Sequence, residues 1–269
     1  MNQSIQQQWP LLINSVRDVA RGIFQNTKSG QQQTERKSDG SLLTATDILL
    51  QENISKVLLS YFPSVPILGE EMTESEQVSI LATGHCWLLD PLDGTSNFSH
   101  GIPVYSVSLA LVQNGEVVAG LVYDPNRDEV FQALKGLGAY LNQQVLNRRI
   151  DEPTLLKHSM AIIDTKRLPS NLAIAIASEN PYHSQRSFGS VALDWCWLAA
   201  GRIQTYLHGK QKLWDYAAGA LIAQEAGCLT VNMQNENMLS PPLSLKGCSA
   251  VGACPSLAIS WPEWIRKRS

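Results

Sequence analysis

Paired cysteine spacing is missing from this chain: its five cysteines, at 86, 196, 228, 248 and 254, include no C-x-x-C. An odd, unpaired set excludes a secreted disulfide framework and a cysteine zinc site, and fits a reducing cytoplasm best. Long apolar runs are missing too. Nowhere do about 18 uncharged apolar residues follow one another, and the start MNQSIQQQWP has neither the basic residues nor the apolar stretch of a signal peptide, so neither membrane insertion nor export is expected. Charge of one sign is scarce: 21 Lys+Arg stand against 24 Asp+Glu, for a net charge of -3, with no block of five like charges. That removes the electrostatic footprint of a nucleic-acid binder, and the basic tail Arg266-Lys267-Arg268 is too short to restore it. No internal repeat occurs. What remains is a globular composition, 44% hydrophobic over 269 residues, which allows two domains or one large fold with two lobes at about 150 residues per domain.

Apolar residues recur at helical spacing from Leu11 to Phe24, so a helix is expected there. Gln25 to Gly40 is polar and ends in Lys37-Ser38-Asp39-Gly40, the composition of an exposed, mobile loop. Thr44-Ala45-Thr46-Asp47 has capping-box spacing and predicts a helix to about Tyr61. Pro66-Ile67-Leu68 and Cys86-Trp87-Leu88-Leu89 are short apolar runs ending in acidic residues. Tyr105 to Val112 and Glu116 to Tyr123 flank Asn114-Gly115, a hairpin signal, and strands at 129–134 and 138–142 extend an antiparallel sheet. Beyond a change near 145 to 155, strands are expected at 160–163 and 172–177, helices at Val191–Ala200 and Tyr216–Ala226, and short apolar pieces near 229 and 250. The first half reads as α+β and the second as α/β.

The informative segment is Trp87-Leu88-Leu89-Asp90-Pro91-Leu92-Asp93-Gly94-Thr95-Ser96-Asn97-Phe98. An apolar strand delivers Asp90 to its end, a proline-containing turn reverses the chain, and Asp93 points back toward Asp90. Two carboxylates so close repel unless protonated or bridged by cations, and an all-oxygen cluster suits Mg²⁺. Gly94 and Thr95 offer backbone N–H groups at a helix start, a cradle for phosphate. Two rival chemistries fail. An aspartyl-nucleophile phosphatase needs a second Asp two residues from Asp93, and position 91 is proline. Cys196 and Arg202 match the C-x5-R of cysteine phosphatases, but the segment is an apolar helix and Cys196 reads as a core thiol.

These residues, with Gly69-Glu70-Glu71 upstream and Trp214-Asp215-Tyr216-Ala217-Ala218-Gly219 and Glu225-Ala226-Gly227 downstream, resemble the inositol monophosphatase family of metal-dependent, lithium-sensitive phosphatases, over about residues 10 to 255. The resemblance implies an α/β fold of the α+β sugar-phosphatase type, a layered αβαβα sandwich with an antiparallel-sheet lobe (1–150) and an α/β lobe (151–269). It also implies two or three Mg²⁺ ions. Glu70, Asp90, the Leu92 carbonyl and Thr95 would surround the first, Asp90, Asp93 and Asp215 the second, and Glu70 would join a weaker third. Asp47 would hydrogen-bond Thr95, the pair orienting and helping to deprotonate the attacking water. Asp93 and the Gly94 and Thr95 amides would hold substrate, with Gly189, Ser190 and Val191 facing its alcohol portion. Lys37 sits where the family has a basic residue on a mobile loop. Rival roles are purely local: Asp47 as the acid of a capping box, Asp215 as a helix N-cap.

One position departs from the family. Seven residues before Asp215, where animal-type members carry an inositol-binding Glu, stands His208, and an imidazole does not bind paired ring hydroxyls as a carboxylate does. Lys210 and Lys212 add charge nearby, fit for a second phosphate or an acidic sugar. The expected function is therefore a Mg²⁺-dependent phosphomonoesterase for a small phosphorylated metabolite resembling inositol 1-phosphate. Fructose-1,6-bisphosphatase, histidinol-phosphatase and 3′(2′),5′-bisphosphate nucleotidase activities stay open, as does a non-enzymatic, protein-binding regulatory module. A cytoplasmic homodimer without nucleic-acid or membrane partners is expected.

Overall fold

The computed structural model describes residues 3–27, 29–30, 34–36 and 42–269. Helix α1 (Gln3–Asn26) carries Ile5, Trp9, Leu12, Ile13, Val16 and Ala20 on one buried stripe. It starts well before Leu11 and runs through Pro10, a residue that normally marks a helix boundary. Strands β1 (Thr34–Arg36) and β2 (Leu42–Thr44) pair antiparallel, so part of the expected loop is a small hairpin. Lys37 lies outside the described residues. Helix α2 (Ala45–Tyr61) begins at the Thr44 capping box.

A seven-stranded sheet follows: β3 (Ile67–Gly69), β4 (His85–Asp93), β5 (Ser106–Gln113), β6 (Glu116–Asp124), β7 (Glu129–Leu134), β8 (Ala139–Leu141) and β9 (Gln144–Leu146), in that spatial order. Only β3 and β4 run parallel, joined by helix α3 (Glu74–Ala82); short helix α4 (Thr95–Ser99) links β4 to β5. The β5–β6 turn has positive φ at both Asn114 and Gly115, the conformation Asn-Gly accepts readily.

The second half builds a five-stranded sheet from β10 (Met160–Asp164), β11 (Ser184–Arg186), β12 (Thr205–Gln211), β13 (Leu229–Val231) and β14 (Cys248–Ala253), ordered β11-β10-β12-β14-β13. Its helices are α5 (Ser170–Glu179), α6 (Val191–Ala199), α7 (Leu213–Glu225) and α8 (Ser260–Arg266). The strand expected at 172–177 is helix α5. Leu-Ala-Ile-Ala-Ile-Ala alternates like a strand, but Leu172 and Ile176, four apart, are buried while Ile174 between them is 67% exposed, and the alanines favour helix. Pro169 and left-handed Asn180 bound it.

Side-chain alternation makes five layers. On β4 and β5, Trp87, Leu89, Val107, Leu109 and Leu111 pack under α1 and α2, whereas Cys86, Leu88, Ala110 and Val112 face α6 and α7. On the second sheet Ile162, Tyr206 and Ala250 join that same helix layer, while Ala161, Ile163, Leu207 and Val251 pack on Leu172, Ile176, Trp261 and Ile265 of α5 and α8. The order is α1/α2, sheet, α6/α7, sheet, α5/α8, the αβαβα sandwich expected. The central layer is thin because glycines sit where backbones meet: a Cβ on Gly120 of β6 would lie 2.8 Å from the Ala218 carbonyl of α7, and one on Gly219 would lie 2.7 Å from Trp195 Cβ of α6.

Overpacking at such a backbone contact costs typically 1–3 kcal/mol. Gly120→Ala should therefore destabilise the protein by about that amount, seen as a lower urea midpoint; an unchanged midpoint would contradict this packing.

Candidate active site

Asp90 and Asp93 are three residues apart, so in a regular strand they would point to opposite faces. The pairing of β4 with β5 resolves this. Leu88 opposes Ala110 and Asp90 opposes Ser108, but Asp93 opposes Ser106, so three steps on β4 match two on β5. The extra residue is a bulge that returns Asp93 to the face of Asp90, the face toward α6 and α7. The expected reversal at Pro91 is thus a continued strand, with the proline, which lacks an N–H, inside the irregularity. Leu92 N donates to Asp90 Oδ1 (3.0 Å) across it.

Asp93 then reaches the other lobe. Ser190 Oγ donates to Asp93 Oδ2 (2.5 Å), Ala192 N to the same oxygen (2.9 Å) and Val191 N to Oδ1 (3.2 Å). A carboxylate nearly a hundred residues away therefore caps α6, taking N–H groups that have no partner within the helix. Ser190 is fully buried, so its hydroxyl and the Val191 amide serve Asp93; the expectation that they face a substrate alcohol is corrected on this point.

Glu70 follows β3, its turn held by Gln77 Nε2, which donates to the Gly69 carbonyl (3.0 Å) and the Glu70 carbonyl (3.3 Å). Asp215 is at the third position of α7, within the first turn rather than at its N-cap, and accepts from Lys212 N (2.9 Å). Ser108 Oγ donates to the Trp214 carbonyl (3.0 Å), fixing the start of α7 against β5 beside Asp90. Burial, then Glu70, Asp93, Asp215 and Asp47, push Asp90 well above the ordinary carboxylate range. Burial and then Asp93, with Glu70 further off, do the same to Asp215 against the pull of Lys212. Asp93 is raised by burial and partly restored by its hydrogen bonds. Among the described residues no three acidic, His or Cys side chains form a closed metal cage; Asp47, Asp90, Asp93 and Asp215 each accept from a nearby N–H or hydroxyl. The donor set nevertheless fits a hard cation: converging, mutually repelling carboxylates and a backbone carbonyl, all oxygen.

Gly94 takes φ 94°, and a Cβ there would lie 2.9 Å from the Val104 carbonyl, so only glycine fits at this entry to α4. Thr95 Oγ1 lies 2.8 Å from the Leu92 carbonyl and 3.2 Å from Asp47 Oδ1. Asp47 Oδ2 accepts from Thr44 N (2.8 Å) and Thr44 Oγ1 (2.5 Å). The capping box and the link to Thr95 coexist, one on each oxygen.

His208 is buried on β12 opposite Asp164 of β10. Lys210 N donates to its Nδ1 (3.1 Å) and Nε2 lies 3.4 Å from Asp164 Oδ2, an interaction that lowers the Asp164 pKa to about 2. With both ring nitrogens engaged, His208 is held at the edge of the core. Cys196 is buried in α6, its thiol pushed up by burial, and Arg202 pairs with Glu129, so no cysteine-phosphatase loop exists here.

Three residues were missed. Asn97 Nδ2 donates to the Val104 (2.8 Å) and Phe188 (2.6 Å) carbonyls, joining α4 to the segment before α6; its place in the Asp93–Phe98 run was the available signal. Asp194 is buried one turn into α6 with Oδ1 unbonded, raised by burial and by Asp93 and Asp164; its apolar neighbours hid it. Glu225 receives Gly136 N (2.8 Å) and Gly138 N (2.9 Å), which makes it a clamp on the β7–β8 turn.

Comparison with known proteins bears on the chain as a whole. The description "Inositol monophosphatase family" matches residues 4–258. The chain is 38% identical over 202 residues to "Nus factor SuhB" of Pasteurella multocida, covering 73% of this chain and 74% of that one. It is 34% identical over 220 residues to "Inositol monophosphatase 1" of Solanum lycopersicum, covering 78% and 80%. Among solved structures, an "IMPase/NADP phosphatase complexed with Mg2+ and phosphate" shares the fold with TM-score 0.80 at 22% identity, over 98% of this chain and 94% of that one.

The raised carboxylates fix a sign for pH. Above the ordinary value of 3.8 the folded protein holds protons on Asp90 and Asp215 that the unfolded chain releases, so stability without cations falls as pH rises through that range. In chelator, the melting temperature should be lower at pH 8 than at pH 5. Asp90→Asn should recover about 0.5–2 kcal/mol at pH 8, the usual size of a single stabilising change, and the gain should shrink toward pH 4. A variant less stable than the parent at pH 8 would refute the repulsion.

Proposed function

The chain belongs to the inositol monophosphatase family, which makes it a phosphoric monoester hydrolase, and from that premise we propose a Mg²⁺-dependent enzyme acting on a small, inositol-1-phosphate-like metabolite. The observation that carries the reading is the convergence of carboxylates from both lobes: Glu70, Asp93 and Asp215 raise Asp90, and Asp93 and Glu70 raise Asp215. In this reading residues 1–150 and 151–269 are two lobes of one catalytic body. Glu70, Asp90, the Leu92 carbonyl and Thr95 would hold one ion, Asp90, Asp93 and Asp215 a second, and Glu70 a third. Bound there, Mg²⁺ would lower the pKa of a water and neutralise the leaving alkoxide during in-line displacement.

The chain's own groups supply the rest. Asp47, fixed by Thr44 on one oxygen, keeps the other beside Thr95 Oγ1, so the pair orients the attacking water and accepts its proton. A hydroxyl has one hydrogen, and whatever engages the Leu92 carbonyl turns the Thr95 hydroxyl toward Asp47. The Gly94 and Thr95 amides face the phosphate at the start of α4. Asp93, oriented by Ser190 and the α6 amides, sets the distance between the two lobes' ligands. No covalent intermediate is needed, in keeping with the buried Cys196.

Five free cysteines, four of them buried, support a cytoplasmic setting, and no described helix is long and apolar enough to cross a membrane. A homodimer is part of the same reading. The relative named as a Nus factor favours a second role, in partner binding, which the carboxylate cluster would not serve.

Phosphate release from about ten phosphorylated metabolites, with and without Mg²⁺, tests the proposal. Asp90→Asn and Asp215→Asn should abolish Mg²⁺-dependent turnover with the fold intact by circular dichroism, and Asp47→Asn should lower kcat by roughly 10²–10⁴, the range of a lost proton-transfer group. Full activity in either of the first two would overturn it.

A further inference from the structure

A cavity of about 980 Å³ is a groove between the lobes, distinct from the carboxylate cluster but adjoining it at Lys212. One wall is α3, presenting Val78 and Leu81; the other is the 241–247 segment with Leu243 and Leu245. Leu81, Leu243 and Leu245 are anchored in the central core, so the walls are fixed. Val78, 53% exposed, is an apolar side chain left open to the groove. Lys210, Lys212 and Lys246 line it as well, against one carboxylate, Glu74. Among the described residues none of the three lysines is in an ion pair. Lys210 is seated rather than loose: a Cβ on Gly247 would lie 2.7 Å from both its Cγ and Cε, so the stem lies along a notch that the glycine leaves.

The groove runs along α3 from Gly84 and Val112 and shares Lys212 with the active site. Lys212, which lines it, is the residue whose backbone N–H holds Asp215, and Glu74, also in its wall, begins the helix that follows Glu70. An anion drawn in by the lysines and a phosphate held at Gly94 would therefore belong to one molecule with an apolar middle.

We propose that this groove binds the non-reacting end of the substrate, a second anionic group carried on an apolar spacer. The inference rests on the phosphatase reading and narrows its substrate class: a phosphomonoester with a further carboxylate or phosphate, in place of a neutral polyol phosphate. Specificity then comes from charge at the lysines, while His208 stays in the core.

Two simple esters separate the terms, 4-carboxyphenyl phosphate and phenyl phosphate, which share the spacer and differ in the second anion. The ratio of their kcat/KM values, compared between parent and variant, cancels the difference in leaving group. In Lys210→Gln and Lys246→Gln the ratio should fall about five- to tenfold each, carried by KM for the carboxylated ester, and the parent's preference should weaken in 0.5 M salt as charge attraction is screened. A ratio unchanged within twofold in both variants overturns the proposal. Turnover of neither ester by the parent would count against the phosphatase reading instead. The groove is then judged by calorimetric titration of the Mg²⁺-treated protein with 4-carboxyphenyl phosphate: equal affinity in parent and Lys246→Gln overturns it, and weaker binding in the variant supports it.

Discussion

The contact on which the rest depends is the seat of Asp93 on the first turn of α6. It joins a bulged strand of the first sheet to the first turn of a helix in the middle layer through three hydrogen bonds. A buried carboxylate is costly unless it is hydrogen-bonded, and helix N–H groups are costly unless they find an acceptor. Each deficit cancels the other. Because α6 also packs on α7, which starts two residues before Asp215, the same contact fixes how far the carboxylates of one half stand from that of the other. The acidic centre is a property of the lobes' mutual placement, and neither half holds it alone.

Around that contact the residues divide labour by side. On β4 the inner positions pass from Cys86 and Leu88 to Asp90 and, through the bulge, to Asp93, so one strand face changes from core to chemistry within a few residues. Ser108 and Gln77 hold the backbone beside Asp215 and Glu70, Thr44 holds the Asp47 carboxylate itself, and Asn97 ties α4 to the segment before α6. The cluster is held open against its own repulsion by neutral hydrogen bonds, which keeps its carboxylates available to cations.

Much of this was legible in the sequence, for identifiable reasons. Capping boxes and Asn-Gly are local codes, and Thr44-Asp47 and Asn114-Gly115 read true because their partners lie within three residues. Helix α5 was misread because Ala-Ile alternation satisfies period two and the i, i+4 pair together, and only burial separates them. The bulge could not be read, since register depends on β5 as much as on β4. Asp93's partners were identified as residues of interest but given the wrong neighbour, because Ser190 and Val191 are near in space to a residue far along the chain. The pairing of His208 with Asp164 was equally out of reach, since the two lie on different strands.

The shared middle layer also sets a schedule. The inner face of the seven-stranded sheet, with Leu88, Ala110, Val112 and Val122, is covered by α6 and α7, which follow its last strand in the chain. At ribosomal rates of about 5–20 residues per second, that apolar surface stays uncovered for roughly 4–16 seconds after β9 is made, until α7 at Leu213–Glu225 has emerged. The nascent chain thus passes through a sticky half-built state, and the alanine-rich central helices close it late.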